Sequence, residues 1–274
     1  MRNSLTRQLL LYSLLIFGAV AFLLPFIWML SSSLKSSGQI FSARLQLWPH
    51  PVEWKNYADA VGFIPFGRYL ANTLFICFGC VLGNVFSASV VAYSFGILKW
   101  RGRNTFFKLL LATMLLPPQV TMIPVFVIFR KLDMIDTFWP LILPAFLGTP
   151  FFIFLVRQFY LGIPNELIEA ARIDGCNEWS IYRRIVLPLS GPVLATVALF
   201  SFIWAWTEFL TPLIYLQDQS KFTLSLGLQQ FLESHGAQWG MLMAASTIIT
   251  VPIVVLFFVL QRTFVQGIAT TGFK

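Results

Sequence analysis

The apolar positions of this chain run in long unbroken stretches. They show neither the alternation of a half-buried strand nor the single stripe of a soluble amphipathic helix. Six stretches reach the roughly 20 residues that a helix needs to cross a bilayer: about 9–30, 69–93, 106–129, 138–160, 191–215 and 241–261. The pattern predicts an all-α, polytopic transmembrane helical bundle of six spans, read as a single membrane domain over 1–274, with no internal repeat. The first stretch follows Arg2 and Arg7 as a signal peptide would. Its apolar run exceeds the roughly 7–15 residues of a cleaved signal, and no small-x-small site follows, so it reads as a retained helix. The third stretch carries Pro117, Pro118 and Pro124. Each proline lacks an N–H and collides with the preceding turn, so this span is expected to kink or partly unwind. A break at that depth is tolerated only against protein or a wet cavity. Gln119 and Thr121, at the break, are therefore candidate lining residues of a solute path.

Composition sharpens this picture. Of the 274 residues, 57% are hydrophobic and 11% charged, against about 25% charged in soluble domains. Mean hydropathy is +0.76. Too few charges remain to cover a water-exposed surface, so lipid is the expected solvent. The net charge of +8 comes from short basic clusters between apolar runs, with no continuous basic face, and nucleic acid is not an expected partner. With the N-terminus placed in the cytoplasm, twelve Lys and Arg fall inside and seven outside, which favours both termini cytoplasmic. The Lys99-Trp100-Arg101-Gly102-Arg103 turn casts the clearest vote. The three cysteines, Cys77, Cys80 and Cys176, show no framework spacing. Cys77-x-x-Cys80 lies in an apolar run without neighbouring His or carboxylate and reads as packing. His50 and His235 stand alone in external loops without metal-ligand spacing.

The most informative segment lies between the fourth and fifth stretches, at about 162–189, on the cytoplasmic side in this orientation. Asn165 is the expected cap of a short helix whose Glu166 and Glu169 suit the positive end of its dipole. Gly175 is a natural left-handed stop. A second helix is expected from Asn177, with Trp179, Tyr182, Ile185 and Val186 near one face and Pro188 ending it. So small a piece cannot fold alone. It needs a protein partner or the lipid headgroups to lie on, and the residues by themselves leave both open.

Glu169-Ala170-Ala171, then Gly175, Ile185 and Leu187-Pro188 at their spacing, resemble the EAA-loop signature of ATP-binding-cassette importer permeases. In that family the loop forms the coupling helix that docks on the ATPase subunit. The resemblance implies an ATPase-coupling role for Glu169, Ala170, Ala171, Gly175, Ile185, Leu187 and Pro188. Trp54-Lys55-Asn56-Tyr57, Asn72-Thr73-Leu74, the 117–124 stretch running into Asp136-Thr137-Phe138, and the tail Gln266 to Gly272 resemble the carbohydrate type, and the layout is similar to the smaller permease of maltose-type systems. Trp206-Thr207-Glu208-Phe209 resembles the family's Trp-Asn-acid-Phe element, with Thr207 where Asn is usual. The family implies a sister permease, two ATPase subunits, an external solute-binding protein and a bacterial or archaeal cytoplasmic membrane. The implied solute is sugar-like: a disaccharide, an oligosaccharide, glycerol 3-phosphate or a compatible solute. The chain has no G-x-x-x-x-G-K-[ST] loop. It is expected to carry no cofactor and no catalytic or metal site, with ATP and Mg bound by the partner ATPases. The resemblance also implies that spans three to five rock when the docked loop moves.

Glu208 is the acidic residue expected within a span, and a charge there should face a partner or a wet cavity. With Trp204, Trp206 and Thr207 it completes the candidate substrate path, although interhelical packing and a pairing with the sister permease would look the same. A secondary transporter explains the spans, prolines and carboxylate but not the loop. An amino-acid or peptide permease shares the loop but not the flanking segments. A membrane-embedded enzyme lacks any catalytic constellation.

Overall fold

The computed structural model describes residues 2–42, 47–233 and 237–269, with side chains of 7–42, 47–232 and 237–259. All regular structure among them is helical. The principal helices are α1 (Arg2–Ser33), α2 (Lys55–Phe63), α3 (Phe66–Gly96), α4 (Arg103–Thr113), α5 (Pro118–Lys131), α6 (Trp139–Leu147), α7 (Pro150–Tyr160), α8 (Asn165–Ile173), α9 (Glu178–Leu189), α10 (Gly191–Thr207), α11 (Leu210–Tyr215) and α12 (Trp239–Ala269). Among the described residues, four helical segments are long and apolar enough to cross a membrane, and up to six if each sharply bent pair is one span. One such pair is α4 and α5, which meet at 96° around Leu115–Pro117. Pro117 is extended there and Pro118 occupies the first turn of α5, where its missing N–H costs nothing. The expected kink of span three is thus a full break. The other pair is α9 and α10, bent by 75° at Ser190.

Packing groups the chain into two compact units. One comprises Met1–Phe66 and Gly227–Val254. Large side chains of α1 such as Phe17 and Phe22 are exposed, as befits a helix whose solvent is lipid. At its C-terminal end, where carbonyls lack intrahelical partners, Asn56 Nδ2 donates to the Ser33 and Lys35 carbonyls at 2.9 Å each. The Tyr57 and Ser33 hydroxyls meet at 2.7 Å. Phe41 packs edge-on to Trp239, and Phe63 stacks on Phe231. His235 and the 270–272 part of the tail lie outside the described residues.

The second unit, Gly67–Leu226 with Val255–Lys274, carries spans two to five. A Cβ added at Gly79 would stand 2.8 Å from Ile142, and one at Gly83 would stand 2.7 Å from Phe146 and 3.0 Å from the Ala145 backbone. This small-x-x-x-small face lets α3 and α6 approach almost backbone to backbone. Span four is α6 and α7, separated by Gly148 (φ +100°) and Thr149. Outside the spans, Asp136 accepts the N–H groups of Gln217 (2.9 Å) and Asp218 (3.0 Å) and the Lys221 ammonium (2.5 Å). Partial burial alone would raise its carboxyl; those donors outweigh burial and bring it down to about 2.

Candidate functional site

The segment between α7 and α10 is a helical hairpin seated on the bundle. The cap of α8 is Pro164, and Asn165 is its first helical residue. The expected asparagine cap is therefore not formed, because Asn165 stands one residue inside the helix and no side chain caps its first turn. At the C-terminus the N–H of Gly175 donates to Arg172 O (3.1 Å) and that of Cys176 to Ala171 O (3.0 Å). These two bonds make a Schellman turn, with Gly175 left-handed at φ +82°. Asn177 caps α9, accepting the Ser180 N–H at 2.8 Å.

Pro188 does not end α9. Tyr182–Val186 form a π turn, in which the N–H of Leu187 reaches back to Tyr182 O, and the helix continues to Leu189. The widened turn gives the proline ring room that a regular helix would deny it.

The hairpin has two faces. Ile168, Ala171, Ile181, Tyr182 and Val186 are buried in one apolar cluster with Ala88, Tyr93, Val156, Tyr160 and Val193 of the bundle. Ile185 and Leu187 pack against its margin. Glu169, Ala170, Gly175, Trp179 and Pro188 are exposed, as are Leu167 and Ile173. Successive helical residues point about 100° apart, so Ala170 and Ala171 separate: the first lies on the outer face, the second in this chain's own core. Trp179, at 62% exposure, likewise leaves the face expected for it. Glu169 lies 3.9 Å from Lys99, both well exposed, a pairing that contributes little.

Polar ties fasten the hairpin to α3. Arg172 Nε donates to Glu178 Oε1 at 2.9 Å across the Gly175 turn, and Tyr93 Oη donates to Glu178 Oε2 at 2.6 Å. Partial burial would raise the Glu178 carboxyl, but the Arg172 and Tyr93 bonds prevail and hold it below the ordinary glutamate range. The Ser89 and Tyr182 hydroxyls meet at 2.9 Å, and the Tyr93 and Tyr182 rings pack edge to face at 5.3 Å.

Further along α3 lies a cavity of about 250 Å³ between it and helices α6, α10 and α11. Its polar lining is Asn84, Thr149, Ser201, Glu208, Thr211 and Thr223, with Trp204 on the wall. Asn84, 6% exposed, organises it: Thr149 Oγ1 donates to its Oδ1 at 2.6 Å, and its Nδ2 donates to Ser201 Oγ at 2.8 Å. Glu208 stands in the break between α10 and α11, where its Oε1 accepts the Thr211 N–H at 3.0 Å. The charge thus sits at an opened turn and not within a continuous helix. A second cavity of about 190 Å³ is lined by Gln119 and Thr121 and shares Pro140, Pro144 and Thr211 with the first.

The two tryptophans part company. Trp204 is 47% exposed and lines the larger cavity, whereas Trp206 is 2% exposed, stacks on Phe202 at 5.4 Å and lines neither. Thr207 also lines neither, its hydroxyl turned back to Ile203 O. Sequence reasoning missed Asn84, Thr149 and Ser201. Each is a small polar residue in an apolar run, and only the pairing of three runs distinguishes it. Among the described residues no group of three or more His, Cys, Asp or Glu is placed to hold a metal ion.

Residues 88–270 match the family model described as "binding-protein-dependent transport system inner membrane component". The probable ABC transporter permease protein YurM of Bacillus subtilis is 34% identical over 93% of this chain and 85% of its own length. The arabinooligosaccharides transport system permease protein AraQ of the same organism is 32% identical over 100% and 96%. The sn-glycerol-3-phosphate transport system permease protein UgpE of Yersinia pestis is 34% identical over 93% of each. In fold, the chain is similar to a chain of a bacterial ABC transporter involved in the import of the acidic polysaccharide alginate, with TM-score 0.81, 24% identity and coverage of 96% and 98%. With its multiple apolar helices and its hairpin between α7 and α10, the chain belongs to the family of inner-membrane permease components of binding-protein-dependent ABC transport systems.

Proposed function

We propose that this chain, acting as one membrane domain, is one of two permeases of an importer for a sugar or related polyol-like solute. Its termini face the cytoplasm, in keeping with the excess of Lys and Arg in the loops assigned to that side. The hairpin of α8 and α9 docks on an ATPase subunit that binds ATP and Mg, this chain holding no cofactor and catalysing no reaction. The observation that carries the reading is the hairpin's outer face. Glu169, Ala170, Ile173 and Trp179 are exposed around a glycine-locked turn whose inner face is fully used by the bundle.

The solute class follows from the cavities. Asn84, Thr149, Ser201 and Thr223 offer hydroxyl and amide groups, and Trp204 offers an aromatic face, a combination suited to polyhydroxylated ligands. Asn84 retains one N–H and one lone pair beyond the bonds described. Glu208 faces the same space and offers further hydrogen-bond acceptors. Relatives named for arabinooligosaccharides support the sugar assignment. A sister permease and an external binding protein complete the path.

The test is co-purification of the tagged chain in mild detergent, with and without Glu169→Ala and Gly175→Val combined. Recovery of an ATPase and a second permease, with the ATPase lost from the double variant, is expected. A chain recovered alone and competent for gradient-driven uptake without ATP would replace this reading with a secondary transporter.

A further inference from the structure

We infer that Tyr93, Glu178 and Arg172 form a clasp through which the hairpin drives α3, and that Tyr93 is a positioning residue for coupling. The inference rests on the proposed docking of the hairpin on an ATPase.

Three observations carry it. First, the clasp joins residues 85 apart in sequence, and its central bond, Tyr93 Oη to Glu178 Oε2 at 2.6 Å, is charge-assisted. Second, Glu178 is held from the other side by Arg172 at 2.9 Å. The carboxylate therefore bridges the two arms of the hairpin, fixing the Gly175 turn and α3 together. Third, the Ser89–Tyr182 hydroxyl contact at 2.9 Å lies one helical turn from Tyr93 on the same face of α3. Two adjacent contacts resist rotation as well as separation, which one alone would not.

The same helix runs without a break from Tyr93 through Ser89 to Asn84 and Cys80, which line the larger cavity. A displacement of the hairpin is then transmitted along a rigid rod of known rise, about 1.5 Å per residue, to the wall that holds the Asn84 network. Span two joins the moving parts, in addition to spans three to five. The surrounding cluster of Ile181, Val186 and Ala92 keeps the hairpin seated; the clasp gives that seat its direction.

The experiment uses the whole complex in nanodiscs with Thr211→Cys as reporter, since Thr211 borders both cavities. A water-soluble maleimide is applied without nucleotide and after ADP-vanadate trapping, and labelling at residue 211 is read by peptide mapping. In the parent the two states are expected to label at different rates. In Tyr93→Phe that difference should fall about tenfold, the loss expected for one hydrogen bond to a charge. ATPase co-purification and basal hydrolysis should hold and the melting temperature should fall by only a few degrees; a merely structural role for Tyr93 predicts the same fall with the labelling difference kept. Glu178→Gln, which keeps an acceptor for Tyr93 but loses the ion pair, should lie between. A Tyr93→Phe complex responding like the parent overturns the clasp while leaving docking intact. A parent that recovers no ATPase overturns the docking reading itself, and the clasp with it.

Discussion

The two halves of α3 meet their neighbours by opposite means. Around Gly79 and Gly83 the helix presents no side chain, and Ile142, Ala145 and Phe146 fill the space a Cβ would need. Around Ser89 and Tyr93 it presents hydroxyls, which bond to Tyr182 and Glu178. The first contact is mainly one of shape, with Ser87 Oγ donating to Ala145 O at 2.8 Å beside it, and it changes only by pushing helices apart. The second is a small set of directional polar bonds, which fix orientation as well as distance. One helix is thus held by close fit beside the cavity and by oriented bonds beside the hairpin.

The comparison breaks most severely at the shape-matched half. Gly83→Leu must displace the Ala145 backbone and is expected to cost at least about 3 kcal/mol, so little monodisperse protein should survive detergent size-exclusion chromatography. Gly79→Ala, which meets the Ile142 side chain and no backbone, should fold with a smaller drop in melting temperature than Gly83→Leu. At the hairpin, Gly175→Val forces a β-branched residue into a left-handed conformation at about 1–2 kcal/mol. Membrane insertion should stay normal, while co-purified ATPase falls.

Between the two halves, Asn84→Ala leaves the Thr149 and Ser201 hydroxyls without their partner. A loss of about 1 kcal/mol should appear in thermal melts, with a larger fall in solute uptake. The smallest effect is expected at Asp136, outside both halves. Its carboxyl is depressed to about 2, so its contribution is full above the unfolded value near 4 and is lost as pH falls through about 2. Being partly exposed, the Asp136–Lys221 pair is worth less than about 1 kcal/mol. Melting curves of the parent and Asp136→Asn should differ from pH 5 to 7 and converge towards pH 2. A difference that persisted at pH 2 would assign the effect to packing.

The six apolar stretches, the break at Pro117 and the glycine turn of the hairpin were legible because each is written in local composition or in one residue's backbone preference. The segments that resemble the carbohydrate-type family proved largely architectural. Asn56 caps α1, Asn72 donates to the carbonyls of Ser220 and Phe222, and Asp136 gathers the 217–221 loop. Their type was visible, but their partners lie up to 150 residues away. The π turn escaped because Pro188 by itself signals an end to a helix, and only the extra residue ahead of it lets the helix go on. The Asn84 network escaped because a lone amide in an apolar run is ambiguous until its partners are brought beside it. Tyr93 and Glu178 escaped for the same reason, the one an ordinary aromatic residue near a span end and the other an acidic residue in the first turn of a short helix.

The Gly175 turn has a consequence in stereochemistry. Beyond the adjacent residues, no described heavy atom lies within 4 Å of the position where a Cβ would stand, yet φ is +82°. Size is therefore no obstacle at this residue; handedness is. A D-alanine introduced there by semisynthesis would find both the room and the backbone angle it favours. It would narrow the freedom of the unfolded turn and stiffen the hairpin, where its mirror image, L-alanine, would strain it. The hairpin turn proposed to meet the motor subunit is thus specified by a property that no count of atoms or charges records.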